Sequence, residues 1–285
     1  MPSPGPVTAA KSRSNHKLRA EVAEFSGRFD EILLILPDGG LSRFLHPPGT
    51  LGQHAVTLSQ ALRQLADPQL AARGLAPVNA LGAEAVSARA LFRARQEKLL
   101  RHFEPVSGLP GFARALARTL LDLRLAGLGP ADLEHADGPL RDLSVLLELY
   151  EQELESAALT DLAGVVELAT AAARQRQHRW AGLPLVLLDV PLASHAHRQF
   201  VQALAGSAPE VLAALNSGNS ALESALGVSA DDLDTEPPAH SLDRLRRNLF
   251  EPAPEANAGD DGRIQYNDNI ARTIQLDRKS TRLNS

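Results

Sequence analysis

The amino-acid sequence predicts an α/β fold in which a mostly parallel sheet is interrupted by a long helical insertion. Three apolar runs, at residues 31–40, 183–190 and 209–215, are typical of strands that are buried on both faces. The segments around them have helical periodicity, and residues 84–180 have helical periodicity alone. Strands that alternate with helices are joined by right-handed crossovers, so we expect the sheet to be parallel.

The composition of the 285-residue chain restricts its possible functions. Hydrophobic residues make up 44% of the chain and charged residues 22%, which is typical of globular domains. The chain contains no cysteine, which excludes a disulfide, a Cys-ligated zinc site and a thiol nucleophile. No apolar run is long enough to cross a bilayer, so we expect a cytoplasmic protein without a membrane partner. The formal net charge of −5 provides no general attraction to nucleic acid.

The N-terminal part alternates between helix and strand signals. Residues 17–27 carry Leu18, Val22 and Phe25 at helical spacing and end at a glycine. The apolar run at 31–40 then predicts a buried strand, and loop, strand and helix signals continue through residues 54–66.

The central region predicts three helices. The first has Phe112, Leu116, Leu120 and Leu123 on one face and ends before Gly127 and Pro130. The second begins near Pro139, a residue suited to a first helical turn, and its apolar face comprises Leu140, Leu143, Leu147, Tyr150 and Leu154. Thr160 is positioned to cap the third, whose last turns carry Arg174, Arg176 and His178.

The C-terminal part predicts two further helices and an unrelated tail. Ser194 is suited to cap a helix that stops at Gly206, and residues 241–250 form a short amphipathic segment. Residues 277–285, DRKSTRLNS, match codon for codon the translation of a common sequencing-library adapter. We therefore exclude the tail from fold reasoning and expect the authentic protein to be cut off near Leu276.

The stretch GPVTAAKS, from Gly5 to Ser12, is one residue away from the phosphate-binding loop G-x-x-x-x-G-K-[ST]. In such a loop the lysine bridges the outer phosphates and the hydroxyl binds Mg²⁺, roles that would fall to Lys11 and Ser12. Ala10 replaces the second glycine, and a positive φ there would be strained. The stretch is therefore a nucleotide site, a degenerate remnant of one, or a chance string.

Asp189 is the second candidate for such a site, because it ends a predicted buried strand, where ligands of open α/β sheets bind. It would hold Mg²⁺ there. The alternative is that Asp189 caps the turn before Pro191. Active helicase-type ATPases have a Glu next to this Asp, whereas Val190 follows here, and no general base is evident.

Other chemistries find little support in the sequence. A PD-(D/E)xK nuclease site needs an acidic residue two positions before a lysine, and only Asp277 and Lys279, in the excluded tail, satisfy this. His195 and His197 diverge on a helix and form a poor ligand pair, so we expect both to be solvated. Four arginines on the helix near residue 90 could contact phosphates, but Glu97 favours a salt-bridged, solvated face; they are Arg89, Arg93, Arg95 and Arg101.

The order of these segments resembles that in PD-(D/E)xK nuclease family proteins of the AddB type, over most of residues 5–276. The resemblance implies a P-loop NTPase-like, UvrD-like helicase fold, often degenerate, that precedes a nuclease domain. GPVTAAKS would be the counterpart of the Walker A loop, with Gly5, Lys11 and Ser12 as site residues, and Asp189 would represent Walker B. The resemblance further implies that residues 1–83 and 181–235 form the helicase-like α/β core and that residues 84–180 are a helical insertion. Residues 236–276 would be a linker and the start of the next helicase-like region.

The resemblance also implies cofactors and partners. ATP and Mg²⁺ would bind weakly or not at all, since Ala10 and Val190 depart from the active pattern. Partners would be DNA, as double-strand ends or single strands, and an AddA-like helicase subunit. We expect a DNA-handling scaffold without a catalytic site, whose nuclease lies beyond residue 276. The alternatives are an active P-loop ATPase or DNA helicase, and a non-catalytic helical interaction protein.

Overall fold

The computed structural model describes residues 5–12, 15–37, 52–133, 135, 137–216 and 220–233, and the statements below refer to these residues. They belong to one compact unit, Met1–Leu233. The amphipathic segment at 241–250, the linker at 236–276 and the tail at 277–285 lie outside the described residues. The predicted α/β architecture with a mostly parallel sheet is confirmed.

The strands form one large and one small sheet. Six strands lie in the order β3-β2-β6-β7-β1-β8, and every neighbouring pair is parallel. Strands β4 and β5 form a separate parallel pair. The eight strands are β1 (Val7–Ser12), β2 (Ile32–Leu36), β3 (Gln53–Thr57), β4 (Ala76–Pro77), β5 (Leu159–Thr160), β6 (Leu185–Leu188), β7 (Val211–Asn216) and β8 (Asp231–Asp232).

Helices cover the large sheet and form most of the central region. In the described part of the chain they are α1 (Asn15–Ser26), α2 (Leu58–Arg73), α3 (Ala80–Gln96), α4 (Phe112–Leu125), α5 (Pro130–Leu133), α6 (Pro139–Ser156), α7 (Leu162–Arg174), α8 (His195–Ser207) and α9 (Ser220–Leu226). None of these helices has both the length and the apolar character that crossing a bilayer requires.

The large sheet is buried on both faces, which explains the continuous apolar runs of its strands. On one face, α1 packs on alternate residues of β2, and Leu18 and Phe25 belong to the same cluster as Leu34. On the other face, α2, α7 and α8 pack around Leu33, Ile35 and the alternate residues of β6 and β7.

A second hydrophobic core lies between α3, α4 and α6, with Leu120, Leu146 and Tyr150 at its centre. This cluster extends from Val78 to Leu159. Helix α7, by contrast, packs on the large sheet with α2 and α8. The helical region with its own core therefore ends before α7, earlier than the expected boundary near residue 180.

Several local predictions are confirmed. Pro139 lies at the start of α6, Phe112 at the start of α4, and the side chain of Ser194 caps α8 by accepting from the N–H of His197. The stop of α8 is also close to prediction, since the helix ends at Ser207, one residue after Gly206.

Other local predictions are wrong. Asp161, not Thr160, caps α7, because its carboxylate reaches the N–H of Gly164 at 3.0 Å. Helix α7 ends at Arg174, before Arg176 and His178. The strand and helix signals of residues 54–66, by contrast, agree with the structure: Gln53–Thr57 forms β3, and α2 begins at Leu58, where Thr57 and Gln60 form a capping box.

Candidate functional site

The stretch GPVTAAKS does not form a loop, because Val7–Ser12 is strand β1. Its residues pair in parallel register with β7, from Val7 opposite Val211 to Ser12 opposite Asn216. Helix α1 begins at Asn15, so only two residues separate strand from helix. A phosphate-binding loop needs a longer glycine-rich turn at this position. The interpretation of GPVTAAKS as a Walker A counterpart is corrected accordingly: it supplies the strand and leaves no loop.

Gly5 lies at the opposite end of β1 from Ser12, about 20 Å away at the usual rise of a strand. A Cβ at Gly5 would lie 1.8 Å from the carbonyl oxygen of Pro209. The glycine is thus required by the close approach of two backbone segments at the amino edge of the sheet. It cannot share a phosphate with Lys11 or Ser12.

Lys11 and Ser12 lie at the carboxyl edge of the sheet. The backbone carbonyl of Lys11 accepts a 2.9 Å hydrogen bond from the N–H of Leu233, which attaches β8 to β1. The side chain of Lys11 is half-buried, whereas Ser12 is fully buried. Both residues therefore contribute to the sheet itself.

Asp189 follows β6 and is held in place by β7. Its N–H donates to the carbonyl oxygen of Ala214 at 2.8 Å, and its carboxylate accepts from the side chain of Asn216 at 2.7 Å. Its φ of +44° lies in the left-handed region, which Asp tolerates better than most residues. Val190 is fully buried in the core, so a Glu at this position would place a carboxylate among apolar side chains.

The carboxyl edge thus brings together Ser12, Asn216 and Asp189, at the ends of three neighbouring strands. The chain leaves β1 toward one face through α1 and leaves β7 toward the other face through α9. Ligands of open α/β sheets bind where such connections diverge. Asn216 was not among the sequence candidates; its position at the end of an apolar strand run is the signal that could have identified it.

These residues do not fit ATP and Mg²⁺ well. A nucleotide phosphate would need several inward-pointing amides, whereas the backbone of Val7–Ser12 pairs with the neighbouring strands β7 and β8. The Asp189 carboxylate accepts hydrogen bonds from Asn216 and is a single acidic side chain at this edge among the described ligand candidates Lys11, Ser12 and Asp189. Across the described ranges, no group of three or more His, Asp or Glu side chains is placed to hold a metal ion.

A basic surface lies at the opposite edge of the sheet, where α7 and α8 end. We call it the 174–179 surface; its exposed polar residues are Arg174, Gln175, Arg176, Gln177 and Arg179. A cavity of about 440 Å³ between the ends of the two helices is lined by Arg174, Gln175, Arg176, Gln202, Ala203, Gly206 and Ser207, without a carboxylate.

The arginines of the 174–179 surface differ in their partners. Arg176 donates to the carbonyl oxygen of Ser207 at 2.7 Å, which satisfies the end of α8. Arg174 and Arg179 make no ion pair with a carboxylate within the described residues. Burial, with the charge of Arg179 beside it, lowers the pKa of His178. Guanidinium and amide groups of this kind can contact nucleic-acid phosphates.

The two histidines of α8 differ in environment. His195 is exposed, as predicted. His197 is half-buried, its Nδ1 lies 2.7 Å from the Ser194 hydroxyl, and burial lowers its pKa. The prediction of two solvated histidines is therefore wrong for His197.

The arginines of α3 are partly neutralised, and mainly by a residue that the sequence did not indicate. Glu153 of α6 is buried, accepts a hydrogen bond from Arg93 at 3.0 Å and forms an ion pair with Arg89 at 2.8 Å. Glu97 lies 4.0 Å from Arg93. Arg101 lies after the end of α3 at Gln96, not on the helix as predicted, and neither Arg95 nor Arg101 makes an ion pair with a carboxylate among the described residues.

In comparisons with known proteins, no family model and no curated protein matches this chain.

Proposed function

We propose that this chain is a helicase-like scaffold of a DNA-processing nuclease, which holds DNA and does not hydrolyse ATP. The observation that carries the proposal is that Lys11 and Ser12 lie inside strand β1, paired with β7. Val7–Ser12 thus forms a strand at the position where a phosphate-binding loop would need irregular backbone.

The strand order supports a helicase-like ancestry. Lys11 and Ser12 end β1 and Asp189 follows β6, and these two strands are separated only by β7. Both sets of residues therefore reach the same edge, close to the crevice where ligands of such sheets bind. The hydrogen bond from Asn216 orients the Asp189 carboxylate at this edge.

The 174–179 surface supports DNA binding. From residue 168 to residue 188 the sequence contains three arginines and no Asp or Glu, although the whole chain is acidic. Binding through these side chains would be electrostatic and would weaken steeply with salt. A nuclease domain and an AddA-like helicase subunit complete the proposal, and both rest on the sequence resemblance.

The ATP part of the proposal is tested by calorimetric titration of ATP with Mg²⁺ and by phosphate release. We expect neither saturable binding at micromolar ATP nor turnover, and the Lys11→Ala variant should behave like the parent protein. Magnesium-dependent turnover that Lys11→Ala abolishes would support the active ATPase instead.

The DNA part is tested by fluorescence anisotropy with a labelled oligothymidylate of about 20 nucleotides and a forked duplex. Affinity should fall by at least about tenfold between about 50 and 200 mM salt. Arg174→Glu and Arg179→Glu should each weaken binding, and Arg118→Glu, at an exposed arginine of α4, serves as the matched control. Salt-independent binding, or equal losses in all three variants, would contradict this assignment of the surface.

A further inference from the structure

Helix α3 exposes an apolar stripe that no described part of the chain covers. Leu81 is 73% exposed and Phe92 is 61% exposed, and Ala85 and Ala88 between them are also exposed. Spacings of four, three and four residues place all four side chains on one side of the helix. We call them the α3 stripe. The opposite side of α3 is buried in the second core through Val86, Ala90, Leu91 and Ala94.

The surroundings of the α3 stripe are basic. Residues 80–121, which span α3 and most of α4, contain seven Arg or Lys and three Glu, in a chain whose net charge is −5. Arg89 and Arg95 precede and follow Phe92 by three residues, so both flank the stripe. Arg114 of α4 pairs with Glu84 of α3 at 3.1 Å, which places α4 along one side of the stripe.

The rim of the α3 stripe carries arginines without a carboxylate partner in the described part of the chain and, beside them, an exposed leucine. Among the described residues, Arg95 and the exposed Arg118 of α4 make no ion pair with a carboxylate. The loop before α4 approaches the same end of the stripe, since the guanidinium of Arg95 lies 3.6 Å from the Cβ position of Gly108. In that loop Leu109 is 58% exposed. An apolar centre inside a basic rim is thus formed by α3 and the start of α4.

We propose that the α3 stripe docks an amphipathic helix of a partner protein, with apolar residues at i, i+3 or i+4, and i+7, and with acidic residues on its flanks. The small side chains of Ala85 and Ala88 allow two helices to approach to about 8–10 Å. Leu81 and Phe92 would fill the grooves at either end. The acidic flanks of the partner would face Arg95 and Arg118. The inference does not depend on the proposed helicase-like function.

Other occupants fit less well. A second copy of the chain would bring two basic rims together, and the stripe is only about 16 Å long, too small for the roughly 800 Å² per partner of a stable dimer. A nucleic-acid strand could stack on Phe92, but it would leave Leu81, Ala85 and Ala88 without an apolar contact.

The experiment titrates the full chain with a fluorescent synthetic peptide of about 18 residues, Leu on one helical face and Glu on the flanks. A sister peptide carries Lys in place of Glu. We expect the acidic peptide to bind at least about tenfold more tightly than the basic one. Phe92→Ser and Leu81→Ser should each lower the affinity for the acidic peptide at least about tenfold, as expected for residues at the centre of an interface.

The control variant is Leu140→Ser, which replaces a leucine of α6 that is 42% exposed and lies outside the stripe; its affinity should equal that of the parent. Circular dichroism of all three variants shows whether they fold. Equal affinity for the two peptides, or no loss in Phe92→Ser, would overturn the proposal. So would displacement of the acidic peptide by an oligothymidylate, or a sedimenting dimer that Phe92→Ser dissociates.

Discussion

The side-chain amide of Asn216 donates a 2.7 Å hydrogen bond to the carboxylate of Asp189, and its backbone N–H approaches the same carboxylate at 3.4 Å. This contact joins the carboxyl ends of β7 and β6. The two residues therefore hold the ends of these strands together, at the edge of the sheet where the sequence suggests a magnesium ligand. Asp189 is also one of four non-glycine residues in the described chain with a positive φ.

Replacing Asp189 by alanine should destabilise the fold by about 2 kcal/mol, because the hydrogen bond is lost and alanine is strained at positive φ. Asp189→Gly should cost about 1 kcal/mol less, since glycine adopts this conformation freely. Urea denaturation of both variants measures the difference. Equal losses would show that backbone strain contributes nothing at this position.

Gly5→Ala should destabilise the protein by at least about 2 kcal/mol, because the new Cβ would meet the carbonyl oxygen of Pro209 at 1.8 Å. Gly206→Ala is the matched control: this glycine is in α8 and a Cβ there meets nothing within 4 Å. The control should be neutral or slightly stabilising. If Gly5→Ala instead left the thermal midpoint unchanged, the close contact with Pro209 would be disproved.

Asp142→Ala should destabilise the second core by about 3 kcal/mol or more. One carboxylate oxygen of the buried Asp142 accepts from the backbone N–H groups of Arg101, His102 and Phe103 at 2.8–2.9 Å. Alanine would leave these three donors without their acceptor.

Two further variants make this test specific to Asp142. Asp142→Asn keeps an acceptor oxygen and should lose less, and Asp122→Ala, on the exposed side of α4, should stay within about 0.5 kcal/mol of the parent protein. Chemical denaturation measures the free energy of unfolding of the three variants and of the parent protein. An Asp142→Ala variant as stable as Asp122→Ala would mean that water replaces the carboxylate without cost.

Stability should decrease on acidification through His197. Burial lowers its pKa in the folded protein, so the unfolded chain takes up a proton at a higher pH than the folded chain does. The stability that the neutral His197 contributes is complete above the pKa of about 6.5 that histidine has in the unfolded chain. It is lost as the pH falls from there through the lower pKa of His197 in the folded protein.

Denaturation at about pH 7.5 and 5.5 tests the role of His197. His197→Gln should lose less stability on acidification than the parent protein does. His195→Gln, at the exposed histidine of the same helix, is the control and should keep the parent's pH dependence. His178 contributes with the same sign in both variants and therefore cancels. A pH dependence that is identical in the two variants would contradict the role assigned to His197.

The apolar runs of β2, β6 and β7 could be identified from the sequence because strands buried on both faces need uninterrupted hydrophobic residues. Strand β1 could not, since Val7–Ser12 contains two polar residues besides Lys11 and resembles a binding loop. Its strand conformation depends on pairing with β7, and Thr8 and Val211 are 203 residues apart. Helix α3 shows the same limitation: its sequence gives the apolar positions, but not that one stripe stays uncovered.

The sequence by itself determined the α/β class, the parallel strands and the helical centre, because hydrophobic periodicity is a local property that each segment carries on its own. Only the tertiary structure decided that Gly5 is far from Ser12, that Asn216 holds Asp189, and that α7 belongs to the sheet. These relationships depend on which distant segments meet at one edge or face. Strand order and packing determine which distant segments meet, and a local sequence pattern does not encode this information.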